Sequence, residues 1–241
     1  MNSKMKNLRR VVLLVAMAFA AHDMAAQRVA GDWSVIPRVG VSLSKFTNDD
    51  FLTGANNGAE RISSSYKEGF SVGADVEYLL HERVGISAGL YYMGMGSRYK
   101  DFQQEDEHGG TGFSNNRTTM GFLQLPVLAN LYVGEGLALK VGVQVGRQLH
   151  SKTRTDEQEW TRDEDGHREY GDVVSHETTY DDAVKQKFYC GIPVGIAYEY
   201  ENVILEARYI YSLTHPFKTA AYDRSHHSTF LFTVGYRFDI E

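Results

Sequence analysis

The 241-residue sequence has one cysteine, four prolines and no apolar run of the roughly 18 to 20 residues that a helix needs to cross a bilayer. The lone Cys190 excludes an internal disulfide and a cysteine zinc cluster. Bases are outnumbered, 25 Lys and Arg against 31 Asp and Glu, and a balance of −6 argues against nucleic acid as a partner, which calls for a basic face. No glycine-rich phosphate loop follows a strand and opens a helix, so no nucleotide cofactor is expected. Glycine is plentiful, 23 residues, and aromatic residues make up 12% of the chain. With so little proline, this length favours one large β domain over two small ones.

Residues 1–10 carry Lys4, Lys6, Arg9 and Arg10 without an acid, and residues 11–21 (VVLLVAMAFAA) are apolar throughout. A basic start, an apolar stretch of about 7 to 15 residues and the small Ala25 and Ala26 behind it describe a secretory signal peptide. A buried helix is the competing reading, disfavoured by the extreme N-terminal position directly behind the charges. Residues 1–26 are therefore expected to be a signal peptide and residues 27–241 the mature domain. Cleavage is expected near Ala26, although Met24 stands three residues back from the cut, where a small residue is preferred. No cysteine follows the apolar stretch to accept lipid. Without residues 1–26 the balance is 21 bases against 30 acids, or −9.

Hydropathy alternates with a period of two in eight segments, the mark of strands with one apolar and one polar face. In residues 33–44 the odd positions Trp33, Val35, Val39, Val41 and Leu43 are apolar, while Ser34, Arg38, Ser42 and Ser44 lie between them. Segment 68–80 sets Phe70, Val72, Val76 and Tyr78 against Asp75 and Glu77. The same alternation runs through 84–96, 121–133, 137–150, 187–200, 203–213 and 229–239. Tight turns (His81–Arg83, Gly134–Gly136, Glu201–Asn202) alternate with long polar connections (45–67, 97–120, 151–186, 214–228). That rhythm predicts an all-β fold, an eight-stranded antiparallel up-and-down transmembrane β-barrel with tight turns and termini at the periplasmic end and long loops extracellular.

A soluble eight-stranded barrel has a similar strand count but turns its apolar face inward. The polar face decides. It carries Arg38, Asp75, Glu77, Lys140, Glu199, Glu206, Arg208 and Arg237, of mixed sign and interleaved with glycines. Glycines suit a crowded interior, and opposite charges can pair across an eight-stranded lumen that side chains fill. A filled polar interior is thus expected, with lipid outside. Aromatic residues on the apolar face sort by height. Trp33, Tyr78, Tyr198, Tyr200, Tyr236 and Phe238 fall at the turn end, and Phe70, Tyr92, Phe188, Tyr209, Tyr211 and Phe230 toward the loop end, as in two interfacial girdles.

The stretches FLQLPVLANLYVGEGLALKVGVQVG (122–146), GIPVGIAYEYENVILEARYIYSLT (191–214) and FLFTVGYRF (230–238) resemble the PorT-like outer-membrane β-barrel family of Gram-negative bacteria over about residues 32–241. The most specific pieces are the Leu-Pro pair, Glu-x-Arg-Tyr and the terminal Gly-Tyr-Arg-Phe. The resemblance implies an integral barrel in contact with outer-membrane lipid. The closing strand looks like the signal read by the barrel-insertion machinery, although Asp239, Ile240 and Glu241 follow its aromatic end. The family's namesake is similar to a component needed for protein export to the cell surface.

Candidate chemistry is sparse. His215, His226 and His227 lie near Ser212, Ser225 and Ser228, as a lipid-modifying barrel enzyme would require, but no acid is spaced to orient a particular imidazole. The acidic stretch 151–186, with Asp163-Glu164-Asp165 and Asp181-Asp182, lacks the ligand spacing of an EF-hand, so a solvated loop is expected rather than a metal site. The sequence thus predicts no enzyme. It predicts a structural or surface-interaction barrel, with an accessory role in secretion, a small pore and a lipid-modifying enzyme as alternatives.

Overall fold

The computed structural model describes residues 29–47, 51–53, 60–105, 109–134, 136–163, 166–180, 186–218 and 225–240. The expected signal peptide, residues 1–26, lies outside them. Eight long strands form the staves: β1 (Trp33–Thr47), β2 (Lys67–His81), β3 (Val84–Tyr99), β4 (Gly109–Tyr132), β5 (Leu137–Arg162), β6 (Phe188–Tyr200), β7 (Val203–Ser212) and β8 (His226–Tyr236). Each pairs antiparallel with the next. β8 then pairs back onto β1, Val39 opposite Val234 and Val41 opposite Phe232, so the sheet closes with up-and-down topology. Beyond Arg237, Phe238–Ile240 continues the pairing on the first residues of β1.

Which face points inward follows from burial. In β1, Ser34, Ile36, Arg38, Ser42 and Ser44 are buried, while Val39 and Val41 are 61% and 55% exposed. The same inversion holds around the ring. Asp75, Gln124, Lys140 and Glu206 are buried, and Val76, Leu125, Val141 and Leu205 stand on the outside. Water does not wet a continuous belt of valine, leucine and isoleucine of this size on a stable soluble monomer, so the belt meets hydrocarbon.

Aromatic side chains edge the belt. At the tight-turn end Trp33 packs on Tyr78 at 4.7 Å between ring centroids, and Tyr236 on Phe238 at 4.8 Å. Tyr198 and Tyr200 close β6 at the same end. At the other end Phe70 packs on Tyr92 at 5.1 Å and Tyr209 on Phe230 at 5.0 Å, with Tyr211 and Phe188 beside them on β7 and β6.

The stretches 97–120 and 151–186, expected as loops, are largely strand. β4 begins at Gly109 and β5 runs to Arg162, paired as far as Gly109 opposite Thr161. Phe102–Glu105 flanks β4, and Arg168–Thr179 flanks β5. A four-stranded sheet therefore rises from the long-loop end, the thirteen residues 150–162 alone reaching about 40 Å along the strand. Polar residues occupy both of its faces even where one is covered, as at Asn116 and Thr118, so hydropathy in this stretch does not alternate with a period of two. Pairing rests instead on backbone ladders and on cross-strand contacts such as Thr118 with Thr153 at 2.9 Å and the stacked Phe102 and Phe113 at 4.7 Å.

Two exposed valines test which surface meets lipid. Val143→Arg, mid-belt on β5, is expected to cost about 2 to 4 kcal/mol in urea unfolding of the barrel from lipid vesicles. Val174→Arg, equally exposed but on the rising sheet, is expected to stay within about 0.5 kcal/mol of wild type.

Candidate functional site

The lumen is the most constrained part of the molecule. Eight charged side chains converge there, four cations (Arg38, Lys140, Arg208, Arg237) and four carboxylates (Asp75, Glu77, Glu199, Glu206), so their formal charges cancel. In the central tier Glu206 accepts from Arg208 Nε at 2.6 Å and forms ion pairs with Lys140 Nζ at 3.0 Å and Arg38 at 3.3 Å. Arg38 also donates to Asp75 at 2.8 Å. These residues come from β1, β2, β5 and β7, so the tier ties opposite walls together.

Nearer the tight turns, Arg237 pairs with Glu199 at 2.6 Å and Glu77 at 3.0 Å, and donates to Ser34 at 2.9 Å and the Tyr132 hydroxyl at 3.2 Å. Asn130 donates to Glu77 at 2.6 Å and to Ser87 at 3.2 Å. Glu199 is the outermost member of this group, with a side chain still only 11% exposed. On the long-loop side of the central tier, the amide of Gln144 donates to Gln124.

Glycines make room for these charges. A Cβ on Gly89 would lie 2.2 Å from Asp75 Oδ1, and one on Gly235 would lie 2.8 Å from Arg38 Cγ. Both contacts are closer than real Cβ atoms tolerate, so the central tier requires bare backbone opposite it.

The interior is not polar throughout, a feature the sequence reading missed. One buried apolar cluster gathers Phe46, Met93, Met95, Met120, Phe122, Tyr189, Ile210, Phe217 and Leu231 at the long-loop end. A smaller one gathers Ile36, Leu79, Tyr132, Ala138, Ala197 and Ile204 at the tight-turn end. The larger cluster therefore caps the central ionic tier on the long-loop side, while the smaller one interleaves with the Arg237 tier, Tyr132 belonging to both and Glu199 lying opposite Ile204. Met93 and Met95 share the inward parity of Tyr91, a signal present in the sequence but hidden because Tyr92 and Gly94 between them are not polar.

The histidine group is divided. His227 is buried among Phe46 at 5.0 Å, Phe122 at 5.6 Å and Tyr189 at 6.1 Å, as part of the upper plug. His215 stacks beside His226 at 5.1 Å, and its Nδ1 lies 3.2 Å from the Ser225 carbonyl. Ser212 donates to the Thr214 carbonyl at 2.7 Å, and Ser228 shares hydrogen bonds with the hydroxyls of Tyr209 and Tyr66. His215, His226 and Ser225 thus lie together at the rim, apart from His227 in the plug and Ser228 on its tyrosines. Of the acidic stretch, Glu164, Asp165, Asp181 and Asp182 lie outside the described residues. Among those described, no group of three or more His, Cys, Asp or Glu could hold a metal ion. Cys190 points outward, half-buried.

On the rising sheet, beyond the belt, Asp156 accepts hydrogen bonds from Ser175 at 2.6 Å, Asn115 at 2.9 Å and Arg154 at 3.2 Å. These donors, Ser175 foremost, pull its carboxyl down to about 2. The interaction is thus fully present at neutral pH and is lost only as pH falls from the ordinary carboxylate range through about 2.

A family model described as outer membrane protein beta-barrel domain matches residues 24–218. Among solved structures, the chain is similar to Ail, the attachment invasion locus protein of Yersinia pestis, at 15% identity and a TM-score of 0.44, over 87% of this chain and all of that one. It is also similar to the outer membrane protein OprG from Pseudomonas aeruginosa, at 11% identity and a TM-score of 0.41, over 91% of this chain and all of that one. Neisserial surface protein A is similar at 11% identity and a TM-score of 0.38, over 86% of this chain and 97% of that one. Comparison with curated proteins gives no match.

The central tier makes a quantitative prediction. Glu206→Gln leaves Arg38, Lys140 and Arg208 buried without their shared anion, and is expected to cost about 3 to 5 kcal/mol in urea unfolding from vesicles. Glu177→Gln, which breaks the exposed pair with Lys152, is expected to cost less than about 1 kcal/mol in the same assay.

Proposed function

The chain belongs to the outer membrane protein beta-barrel domain family and is an integral protein of the outer membrane, and from that premise we propose that it is a non-enzymatic surface protein acting through the sheet above its long-loop end. The observation that carries this reading is the contrast between the two halves of the molecule. The lumen is filled by paired charges and two apolar clusters, a poor path for solutes and a poor site for substrate. The extension, by comparison, is long and accessible. Every residue of Arg168–Thr179 is exposed, including Tyr170, Val173 and Val174. That strand and Phe102–Glu105 stand at the two ends of the hydrogen-bonded order, where edge backbone is open to a partner strand.

In this reading the tight turns and both termini face the periplasm, and the rising sheet faces outward. Support comes from length, since short turns on one side and long elements on the other are the usual division in outer-membrane barrels. The signal peptide delivers the chain across the inner membrane, and the closing strand ending in Tyr236, Arg237 and Phe238 is the part offered to the insertion machinery. Outer-membrane lipid surrounds the belt, and the sheet's partners are extracellular proteins or components of a secretion system. An export role is a narrower version of this proposal, resting on the PorT-like stretches, and is tested by surface delivery of secreted proteins after deletion of the gene.

Orientation and closure are checked together. In a Cys190→Ala background, a membrane-impermeant maleimide is expected to label Glu159→Cys in intact cells and Glu82→Cys only after lysis. The reverse pattern inverts the barrel. In planar bilayers the purified protein is expected to show no discrete conductance steps, and regular open steps would replace the surface role with that of a pore.

A further inference from the structure

Five cations crowd one patch of the wall at the long-loop end. Lys67, Arg98, Arg117, Lys152 and Arg154 line a groove of about 340 Å3, within the range of small-ligand sites, together with the carboxylates Glu68 and Glu177. The groove thus holds a surplus of three positive charges in a protein whose net charge is −6.

Register makes the crowding specific. Arg98 lies directly opposite Arg117 on the neighbouring stave, and Arg117 lies directly opposite Arg154 on the next. Three guanidinium groups therefore form one row across three adjacent strands. Like charges directly opposite one another destabilise a sheet. The acids compensate only the margins. Glu68 pairs with Arg98 and Glu177 with Lys152 at 3.1 Å, on side chains about half open to solvent, and the more covered Asp156 pairs with Arg154 at 3.2 Å. Among the described residues no carboxylate lies within ion-pair distance of Arg117, the centre of the row. An anion bound across the row would relieve the repulsion and bridge three strands at once, and guanidinium forks match phosphate oxygens in geometry.

Height selects the kind of anion. On β4 and β5 the last belt residues are Leu123 and Leu149, and Arg117, Lys152 and Arg154 lie three to six residues beyond them, with Arg98 held level with Arg117 by the register. With strands tilted about 40°, that is about 8 to 15 Å above the hydrocarbon edge. The phosphate of a glycerophospholipid sits lower, in the layer of about 5 to 8 Å next to the hydrocarbon. Sugar-borne phosphates reach the groove while their acyl chains lie along the belt beneath it.

We propose that this groove binds the phosphate groups of a phosphorylated glycolipid of the outer leaflet. The inference takes the long-loop end as the external one, so it rests on the orientation given above. Binding by purified protein does not depend on orientation, so whole-cell labelling and ligand titration fail independently.

The test titrates the full mature protein, refolded in a zwitterionic detergent, with four probes: bisphosphorylated lipid A, the same lipid dephosphorylated, phosphatidylglycerol and inorganic phosphate. Bound fractions are read by native mass spectrometry. Bisphosphorylated lipid A is expected to bind at least tenfold more tightly than each other probe. The variants R117Q/R154Q and R98Q/K152Q are each expected to lose at least tenfold of that affinity, while R168Q, on the sheet's edge strand, keeps it. Equal binding of dephosphorylated lipid A overturns the proposal, as does binding of phosphatidylglycerol or inorganic phosphate as tight as that of lipid A. So does unchanged affinity in either double variant with the heat-modifiable gel mobility of a closed barrel. The four-probe series uses wild-type protein alone and decides the matter even where a variant does not refold.

Discussion

A backbone amide in hydrocarbon has no water to bond with, and each one left unpaired costs several kcal/mol. That requirement governs the rest of the molecule. It forces the eight staves to close, β8 onto β1, because an open edge would leave a row of amides and carbonyls in lipid. Closure divides the side chains into two sets with opposite surroundings. One set meets acyl chains and is valine, leucine and isoleucine, and the other fills a narrow cylinder. The inside-out distribution of polarity is therefore a consequence of closure in a nonpolar solvent.

The cylinder imposes a second requirement, since charges withdrawn from water must be neutralised where they stand. Glu206 lies among Arg38, Lys140 and Arg208, and Arg237 lies between Glu77 and Glu199. One tier has a cation in excess, the other a carboxylate, and the lumen as a whole is neutral. Gly89 and Gly235 give up side-chain volume so that Asp75 and Arg38 can meet. The larger apolar cluster covers the central pairs on the long-loop side, and the smaller one packs among the Arg237 tier at the other end. A barrel built this way is rigid and shut, which leaves its outer rim as the part able to meet other molecules.

How much of this is legible in the sequence depends on the contrast between surroundings. Where one face meets lipid and the other a crowded lumen, as in residues 33–44 and 68–80, alternation with a period of two reveals both strand and face, and the eight segments read this way are the eight staves. Where polar residues occupy both faces the contrast vanishes, even at covered positions such as Asn116 and Thr118. Residues 109–120 and 151–162 read as polar loops although they continue β4 and β5. Where both faces are apolar it fails as well, which is why the inward Met93, Met95, Phe122 and Tyr189 escaped notice. The row Arg98, Arg117, Arg154 is invisible for another reason. Its members are far apart in the chain, and only the register, shifted by irregularities between Ser114 and Arg117 and at Gly121, sets them side by side.

The most direct measurement is the contact between side-chain methyl groups and lipid. In nanodiscs, with the protein deuterated except at Ile, Leu and Val methyls, magnetisation transfer from acyl-chain methylenes is predicted to reach Val41, Val127, Val143 and Val194 and to miss Ile36, Leu128, Ile204 and Ile210. Leu128 follows Val127 directly in the chain, so the pair reports face rather than depth. Transfer to the second set and not the first would mean that the sheet is closed the other way round, and the account of lumen and rim would fail with it.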